Sequence, residues 1–370
     1  MKETVLVTGG AGFIGSHLAR ELLDHDYRVR ILDNLTPQVH PDGTPPAYVP
    51  PGAELIVGDV RDRETVARAL QGVDLVCHLA AAVGVGQSMY EIERYTSINN
   101  LGTAVLLEAL AQADVRRVLV ASSMSLYGEG LARDGDRLVE PEERPIEQLK
   151  AGQWELRTPD GRVLEPVPTP ETKRPSLSSI YALGKYDQER MTLIFGRAYG
   201  REAVALRFFN VYGPDQALSN PYTGVLAIFG SRFLNDRPPM LFEDGGQRRD
   251  FVHVRDVARA CRLALESPRA PGQAINVASG ESRSVLDVAQ ALARATGKTH
   301  LTPHVVGKYR AGDIRHCFAD ITLARDLLGF EPRVPFEEGI AELAEWLAGQ
   351  IAVDRVEQAN EELSRRGLVA

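Results

Sequence analysis

The chain has 370 residues, 44% of them hydrophobic and 25% charged, so it can bury a large core and has the composition of a soluble globular protein. Its net charge of −8 argues against binding to duplex nucleic acid, which requires a basic surface. No apolar stretch approaches the roughly 18 residues that a transmembrane helix needs, and three widely spaced cysteines favour reduced thiols. We therefore expect a cytoplasmic protein of enzyme size with neither a nucleic-acid nor a membrane partner.

The first 125 residues alternate short apolar runs with stretches of helical spacing. The predicted order is strand 4–9, helix 16–26, strand 28–33, strands 53–59 and 74–81, helix 101–113 and strand 116–123. A long irregular insert is expected at 129–176, then a helix that contains "YALGK", a strand at 203–209 and a loop-rich remainder. Strands that are apolar on both faces and alternate with helices predict an α/β fold with a doubly wound parallel sheet.

A glycine-rich turn, "GGAGFIGSH", follows the first predicted strand. Such a turn aims backbone N–H groups and a helix N-terminus at a pyrophosphate, and side chains would block that approach. Because the turn stands between a strand and a helix, it indicates a dinucleotide site rather than a purely structural turn. The predicted contacts in this turn are Gly9, Gly12, Phe13, Ile14 and Gly15.

The second strand ends at Asp33, 18 residues after Gly15. A carboxylate there accepts hydrogen bonds from the adenosine ribose and repels a 2′-phosphate, which favours NAD over NADP. Arg28 and Arg30 on the same strand are the alternative, since a nearby arginine can accommodate that phosphate. Further cofactor contacts are predicted at the ends of the second, third and fourth strands: Asn34, Asp59, Val60, Leu79, Ala80 and Ala81.

Eight short sequence motifs occur in a fixed order along the chain. They are "TGGAGFIGSHL", "GDVRD", "HLAA", "NNLGTAVLLEA", "SSMSLYG", "YALGK", "LRFFNVYGP" and "QRRDFVHVRDV". Together they resemble the extended short-chain dehydrogenase/reductase family, and within it the nucleotide-sugar epimerases and dehydratases. The resemblance implies a Rossmann fold, NAD as the cofactor, and Ser123, Tyr181 and Lys185 as the catalytic residues.

Tyr181 and Lys185 are four residues apart and share one face of the predicted helix. We expect the Lys185 ammonium and the positive nicotinamide to lower the pKa of the Tyr181 phenol, which then takes a proton from a sugar hydroxyl. By resemblance, Lys185 also holds the nicotinamide ribose, Ser123 hydrogen-bonds the reacting oxygen, and Asn99 lies near the cofactor.

The two residues after Ser123 bear on the reaction. The dehydratases that this chain resembles carry Asp-Glu there, whereas this chain has Met124 and Ser125, which cannot serve as a carboxylate acid/base pair. We therefore expect 4-epimerisation: oxidation at C4, turning of the keto sugar and return of the hydride. Because the hydride is recycled, neither a metal nor a second cofactor is needed.

The resemblance also implies a second lobe that binds a nucleotide-diphosphate sugar. Asn210, Arg249 and Arg310 match residues that contact the diphosphate, although each arginine could instead form a surface ion pair. The other predicted substrate contacts are Val83, Gly84, Ser123, Ser125, Val225 and Leu226.

The expected organisation is discontinuous. Residues 1–211 and 250–275 are assigned to the Rossmann domain, 212–249 and 276–350 to the substrate lobe, and 351–370 to a helical tail with a solvated face. The resemblance suggests a homodimer built on helices that include 181–199.

Two stretches narrow the substrate, "AVGVGQSMYEIERYTSINNLGTAVLLEAL" and "LEPVPTPETK". Both are similar to a branch of the family that acts on dTDP-L-rhamnose, although this chain lacks the cysteine pair of that branch's insert. UDP-hexose or UDP-glucuronate 4-epimerisation stays open, as does a 4-keto-sugar reductase or a decarboxylating relative. A third hypothesis is a non-catalytic NAD-binding scaffold, and the presence of Ser123, Tyr181 and Lys185 argues against it.

Overall fold

The structure, a computed structural model, describes residues 3–310 and 312–369. Its strands are β1 Thr4–Thr8, β2 Arg28–Asp33, β3 Glu54–Val57, β4 Leu75–His78, β5 Arg117–Ser123, β6 Ala132–Asp134, β7 Arg137–Val139, β8 Glu165–Pro166, β9 Glu202–Phe208, β10 Asn210–Tyr212, β11 Met240–Leu241, β12 Arg248–Arg249, β13 Phe251–His253, β14 Ala274–Val277, β15 Arg283–Ser284, β16 His304–Val305 and β17 His316–Cys317.

The helices are α1 Phe13–Asp24, α2 Arg63–Ala69, α3 Val85–Ser88, α4 Ile92–Tyr95, α5 Gly102–Leu110, α6 Ile146–Lys150, α7 Ile180–Tyr199, α8 Val225–Leu234, α9 Val254–Glu266, α10 Val285–Ala295, α11 Thr322–Leu328, α12 Phe336–Ala348 and α13 Val356–Arg365. A π-helical turn, Thr96–Leu101, joins α4 to α5, and a 3₁₀ turn, Met124–Tyr127, follows β5. Among the described residues, no helix combines the length and the apolar character needed to cross a membrane.

One parallel sheet organises the molecule. Within the described residues its strand order is β14-β9-β5-β4-β1-β2-β3. From β1 the chain builds the sheet outward through β2 and β3, and then returns to the other side of β1 with β4. The carboxyl ends of β1 and β4 therefore form a topological switch point, where doubly wound sheets bind their ligands. The predicted α/β Rossmann fold is confirmed.

Apolar side chains cover both faces of this sheet. Helices α1 and α9 bury one face, and α2, α5 and α7 bury the other. A separate core lies between α8, α10 and α12 in the second lobe. The structure differs from the expected domain boundaries in two places. Strand β14 extends the central sheet to Val277. Beyond residue 276, which was assigned to the substrate lobe, Ala324, Leu328 and Phe330 pack into the Rossmann core. Amphipathic helices thus occupy much of the stretch that sequence patterns presented as loop-rich.

The insert at 129–176 is ordered rather than irregular. Strand β6 pairs antiparallel with β7 and β8, and Ala132, Leu156 and Leu164 form a small core beneath them. Its strands are two or three residues long, which is too short for a period of two to be recognised. Buried ion pairs attach the insert to the second lobe: Arg144 contacts Glu243 at 2.8 Å.

The C-terminal tail is docked, and the expected solvated surface covers only part of it. Val356, Ala359 and Leu363 of α13 are buried. Before the helix, Asp354 pairs with Arg232 of α8 at 3.0 Å, with both side chains almost fully buried. Beyond it, the Arg366 guanidinium lies 4.4 Å from the centre of the Tyr90 ring. The tail therefore crosses from the second lobe to the Rossmann lobe.

Candidate functional site

A cavity of about 400 Å³ opens at the carboxyl ends of the central strands, between the two lobes. The structure brings most of the predicted site residues to its wall: Gly9, Gly12, Phe13, Ile14, Gly15, Asp33, Asn34, Asp59, Val60, Leu79, Ala80, Ala81, Val83, Ser123, Tyr181, Lys185, Asn210, Val225 and Leu226. A larger open depression near α2 and the end of α5 contains none of them.

The glycine turn is built for close approach. Gly9 has φ +71°, and a Cβ there would lie 2.8 Å from the Ala80 nitrogen. A Cβ on Gly15 would lie 2.3 Å from the Gly9 carbonyl oxygen, so the turn packs onto the first turn of α1 only without a side chain. Helix α1 begins at Phe13, and its N-cap residue, Gly12, offers no side-chain cap, which leaves the first N–H groups of the helix for an anion. The turn fits the pyrophosphate of a dinucleotide.

Asp33 lines the end of the cavity where the adenosine is expected. Its two carboxylate oxygens accept hydrogen bonds from the backbone nitrogens of Ala11 at 3.0 Å and Leu35 at 2.9 Å. Each oxygen keeps a second lone pair for a ribose hydroxyl. Arg30 is held away from the strand end, because it pairs with Glu54 at 2.7 Å and donates to carbonyls beside α2. Asp33 therefore has no competing guanidinium from Arg30 beside it, as an NAD site requires.

The three residues predicted to be catalytic lie at the other end of the cavity. Ser123 ends β5, while Tyr181 and Lys185 lie on the first turns of α7, whose start is capped by the Ser179 hydroxyl on the Ala182 nitrogen at 3.0 Å. The Ser123 Oγ accepts from the nitrogen and from the hydroxyl of Ser125, at 3.2 and 3.0 Å. A hydroxyl has two lone pairs and one proton, so the Ser123 proton remains to be donated, and Ser123 lies close enough to Tyr181 to lower the pKa of its phenol.

The pKa values of this pair correct one expectation. Burial raises the pKa of Tyr181 to about 12, against the lowering effect of the Ser123 hydrogen bond. Burial also lowers the pKa of Lys185 to about 7, and its Nζ donates to the Ala121 carbonyl at 2.8 Å. The protein's own groups therefore hold a neutral phenol, because desolvation dominates and the ammonium does not lower the phenol pKa as expected.

Two adjacent asparagines divide their tasks at the π-helical turn. The buried Asn99 amide accepts from the Ala82 nitrogen at 2.8 Å and donates to its carbonyl at 3.1 Å. Asn100 instead donates to Asp187 of α7 at 2.5 Å. Asn99 therefore fixes the backbone of Ala82, after β4, and does not itself line the cavity.

Four other predicted contacts also lie outside the cavity wall. Ser125 stands behind Ser123, and Gly84 packs against Tyr222, where a Cβ would lie 2.9 Å from the tyrosine Cβ. Arg249 donates to backbone carbonyls of residues 314 and 315. Arg310 stacks on Phe242, with its guanidinium 3.9 Å from the ring centre. Phosphate contacts by these two arginines stay a prediction.

Sequence patterns missed several residues of the wall. His40, Arg94 and Asn220 line the cavity, and Arg94 donates to Gln38 at 2.6 Å. They come from loops and a short helix without a motif, so position in the fold was the only signal. His78 is buried between the hydroxyls of Thr8 and Thr103, at 2.7 and 2.9 Å.

Comparison with known proteins identifies this arrangement. The chain matches the model of the NAD-dependent epimerase/dehydratase family over residues 5–149 and 161–278. A dTDP-L-rhamnose 4-epimerase of Burkholderia thailandensis is 35% identical over 354 residues, which cover 94% of this chain and 96% of the relative.

Two solved structures are also similar. The UDP-glucose 4-epimerase of Thermotoga maritima, with UDP-glucose, has a TM-score of 0.76 and 30% identity, covering 93% of this chain and 98% of its own. The UDP-glucose 4-epimerase of Thermus thermophilus, in complex with NAD, has a TM-score of 0.74 and 33% identity, covering 94% of this chain and all of its own. The chain belongs to the NAD-dependent epimerase/dehydratase family and is an enzyme that uses NAD.

Proposed function

We propose that the protein is a nucleotide-sugar 4-epimerase that oxidises C4, lets the keto sugar turn and returns the hydride to the other face. The observation that carries this proposal is the composition of the catalytic end. Ser123, Tyr181 and Lys185 lie there, whereas the acids among the described wall residues are Asp33 and Asp59, both at the adenosine end. Met124 packs into a buried apolar cluster, so no acid/base pair for dehydration follows Ser123.

The residues divide the proton chemistry between them. Tyr181 takes the proton of the C4 hydroxyl, and Ser123 donates its remaining proton to the reacting oxygen. Lys185 in its charged form stabilises the Tyr181 phenolate that accepts the proton of the C4 hydroxyl. Bound NAD supplies the hydride acceptor and afterwards the hydride donor. Tyr181 then returns its proton to the C4 oxygen, so that protons and electrons balance over the cycle.

We propose a dTDP-6-deoxyhexose, dTDP-L-rhamnose or its 4-epimer dTDP-6-deoxy-L-talose, as the substrate. The support is the relative from B. thailandensis, which is matched over nearly the whole of both chains. UDP-glucose is the second candidate because two similar structures are UDP-glucose 4-epimerases. Parallel assays with dTDP-L-rhamnose and UDP-glucose distinguish them through the ratio of their kcat/KM values.

Heavy water tests the reaction. If the hydride returns to C4 from the cofactor, the product is inverted at C4 and carries no deuterium bonded to carbon. A 4,6-dehydratase would place deuterium at C6, and epimerisation by deprotonation would place it at C3 or C5. Carbon-bound deuterium after one turnover, detected by mass spectrometry of the sugar, would exclude the proposed mechanism.

We also propose that the protein forms a homodimer through α7 and the start of α5. Leu183 and Ile194 on α7 are 41% and 50% exposed, and Leu101, the last residue of the π-helical turn that packs against α7, is 51% exposed. Single exposed apolar residues are common, but three on adjoining helices form a patch that association would bury. Light scattering after size exclusion should give the mass of two chains, and Ile194→Arg should give one. Val57→Arg, at the exposed sheet edge, is the matched control and should stay dimeric.

A further inference from the structure

A buried polar network lies directly behind the catalytic turn. Arg207 of β9 donates to Glu189 of α7 twice, from Nη2 to Oε1 at 2.7 Å and from Nε to Oε2 at 2.9 Å. Ser122, the neighbour of Ser123, donates to the same carboxylate at 2.7 Å. Glu189 is fully buried and Arg207 is 6% exposed. The ion pair therefore joins the end of β5 to the helix that carries Tyr181.

Tyr127 extends the network to the turn that begins at Ser123. Its hydroxyl accepts from Arg207 Nη1 at 2.7 Å and donates to Asn276 at 2.7 Å. Its carbonyl accepts from Lys173 Nζ at 2.7 Å. Both the ring and the backbone of this residue are fixed, and so the 3₁₀ turn is held at its far end.

The insert is part of the same frame. The Arg207 guanidinium donates to the carbonyl of Glu171, and the Glu171 carboxylate accepts from the Asn276 nitrogen at 2.8 Å. A buried ion pair is weak evidence for stability, because desolvation offsets its attraction and apolar side chains can fill the same volume. Here the partners of Arg207 lie on the catalytic helix, the catalytic turn and the insert, which indicates a role in geometry.

We propose that Tyr127 and Arg207 are positioning residues that align the Ser123 hydroxyl with the Tyr181 phenol. The inference rests on the proposed function, in which these two groups share the reacting oxygen. Ser125 occupies both lone pairs of Ser123, so the direction of the Ser123 proton depends on where the turn lies. Moving the turn by a few tenths of an ångström weakens the hydrogen bond that favours the phenolate.

Tyr127→Phe tests the proposal with minimal disturbance, since it removes only the hydroxyl. With dTDP-L-rhamnose as the probe, or UDP-glucose if that sugar is not turned over, we expect kcat to fall about tenfold and KM to change less than about twofold. The pKa on the rising limb of the pH–rate profile should move upward. An unchanged kcat and an unchanged profile would overturn the proposal.

A double-mutant cycle shows whether Tyr127 acts through Ser123. In the Ser123→Ala background, Tyr127→Phe should cost less than about twofold, because the group that it positions is absent. Losses that multiply independently would overturn the positioning role. If Ser123→Ala itself turns over normally, the proposed function fails instead, so the two failures are distinguishable.

Arg117 supplies a matched control. It is a buried arginine at the other end of β5, pairs with Glu202 at 2.7 Å and donates to the carbonyls of Ala264 and Leu265. Arg207→Lys and Arg117→Lys should both lower Tm, but only Arg207→Lys should shift the pH profile. Equal shifts in both would show a structural effect alone.

A measurement without sugar completes the test. In NAD-loaded protein with ¹³Cζ-labelled tyrosine, the signal that Tyr181→Phe removes identifies Tyr181. Its pKa should be higher in Tyr127→Phe than in the wild type, by about half a unit or more. Equal pKa values would overturn the inference even if no sugar were turned over.

Discussion

Replacing Lys185 should stabilise the protein when no cofactor is bound. The Lys185 side chain is 4% exposed, and its Nζ donates to the Ala121 carbonyl. Burial lowers the pKa of this group from 10.5 to about 7, so the folded protein disfavours the charge that the unfolded chain carries. Lys185→Met has a similar length and no charge, and it removes this conflict together with the activity.

The magnitude follows from the shift. The pKa falls from 10.5 to about 7, or about 3.5 units; at 1.36 kcal/mol per unit this corresponds to roughly 4–5 kcal/mol below pH 7. Losing the donor to the Ala121 carbonyl offsets about 1–3 kcal/mol of this. We therefore expect Lys185→Met to raise the free energy of unfolding by about 1–3 kcal/mol at pH 7.

The pH dependence gives a second check. Between the folded pKa near 7 and the unfolded value of 10.5, the unfolded chain binds a proton that the folded protein does not, so wild-type stability rises with pH across this window. The advantage of Lys185→Met should therefore shrink between pH 7 and 9.5 in urea unfolding of NAD-free protein. Lys150→Met, at an exposed site, is the control and should show no such trend. A variant that is less stable than the wild type at pH 7, or a difference independent of pH, would refute the reasoning.

Three further outcomes are expected. Tyr181→Phe should keep NAD binding in calorimetry and lose at least ~10²-fold in kcat; near-normal turnover would remove the phenol from the mechanism. Asp33→Ser should weaken NAD binding about tenfold or more and reduce the preference for NAD over NADP. Tighter binding of NADP than of NAD by the wild type would contradict the role of the carboxylate. Asp354→Asn should lower the free energy of unfolding by up to about 3–5 kcal/mol, because it leaves Arg232 short of its buried partner; a shift in denaturant midpoint no larger than that of a surface substitution would show that the tail contributes little.

Most strands of the central sheet were predictable because they are apolar on both faces. The predicted strand at 28–33 matches β2, and the one at 116–123 extends β5 by a single residue. Helix α1 starts at Phe13, three residues before its predicted start, because the glycine turn passes directly into the helix. Local sequence patterns therefore identify the strands and helices whose apolar residues alone show that they are buried.

Sequence patterns could not predict which buried polar side chains pair with one another. Arg207 stands in an apolar strand and Glu189 in a helix of mixed composition, and nothing in their spacing reveals that they pair. The insert and the tail are likewise held by ion pairs between distant segments, such as Arg144 with Glu243. In the site, the sequence identified Tyr181 and Lys185 but not the effect of burial, which raises the pKa of one and lowers that of the other.

The π-helical turn has a consequence for how related chains are compared. It widens one turn of a continuous helix by a residue, and within it Asn99 and Asn100 contact different elements. Deleting one residue between 96 and 101 would restore an ordinary α-helix and rotate every later side chain by about 100°. The contacts of each asparagine therefore depend on its position in the π-helical turn and not only on its being an asparagine. An alignment that pairs asparagines across a gap here can equate two residues that do different work.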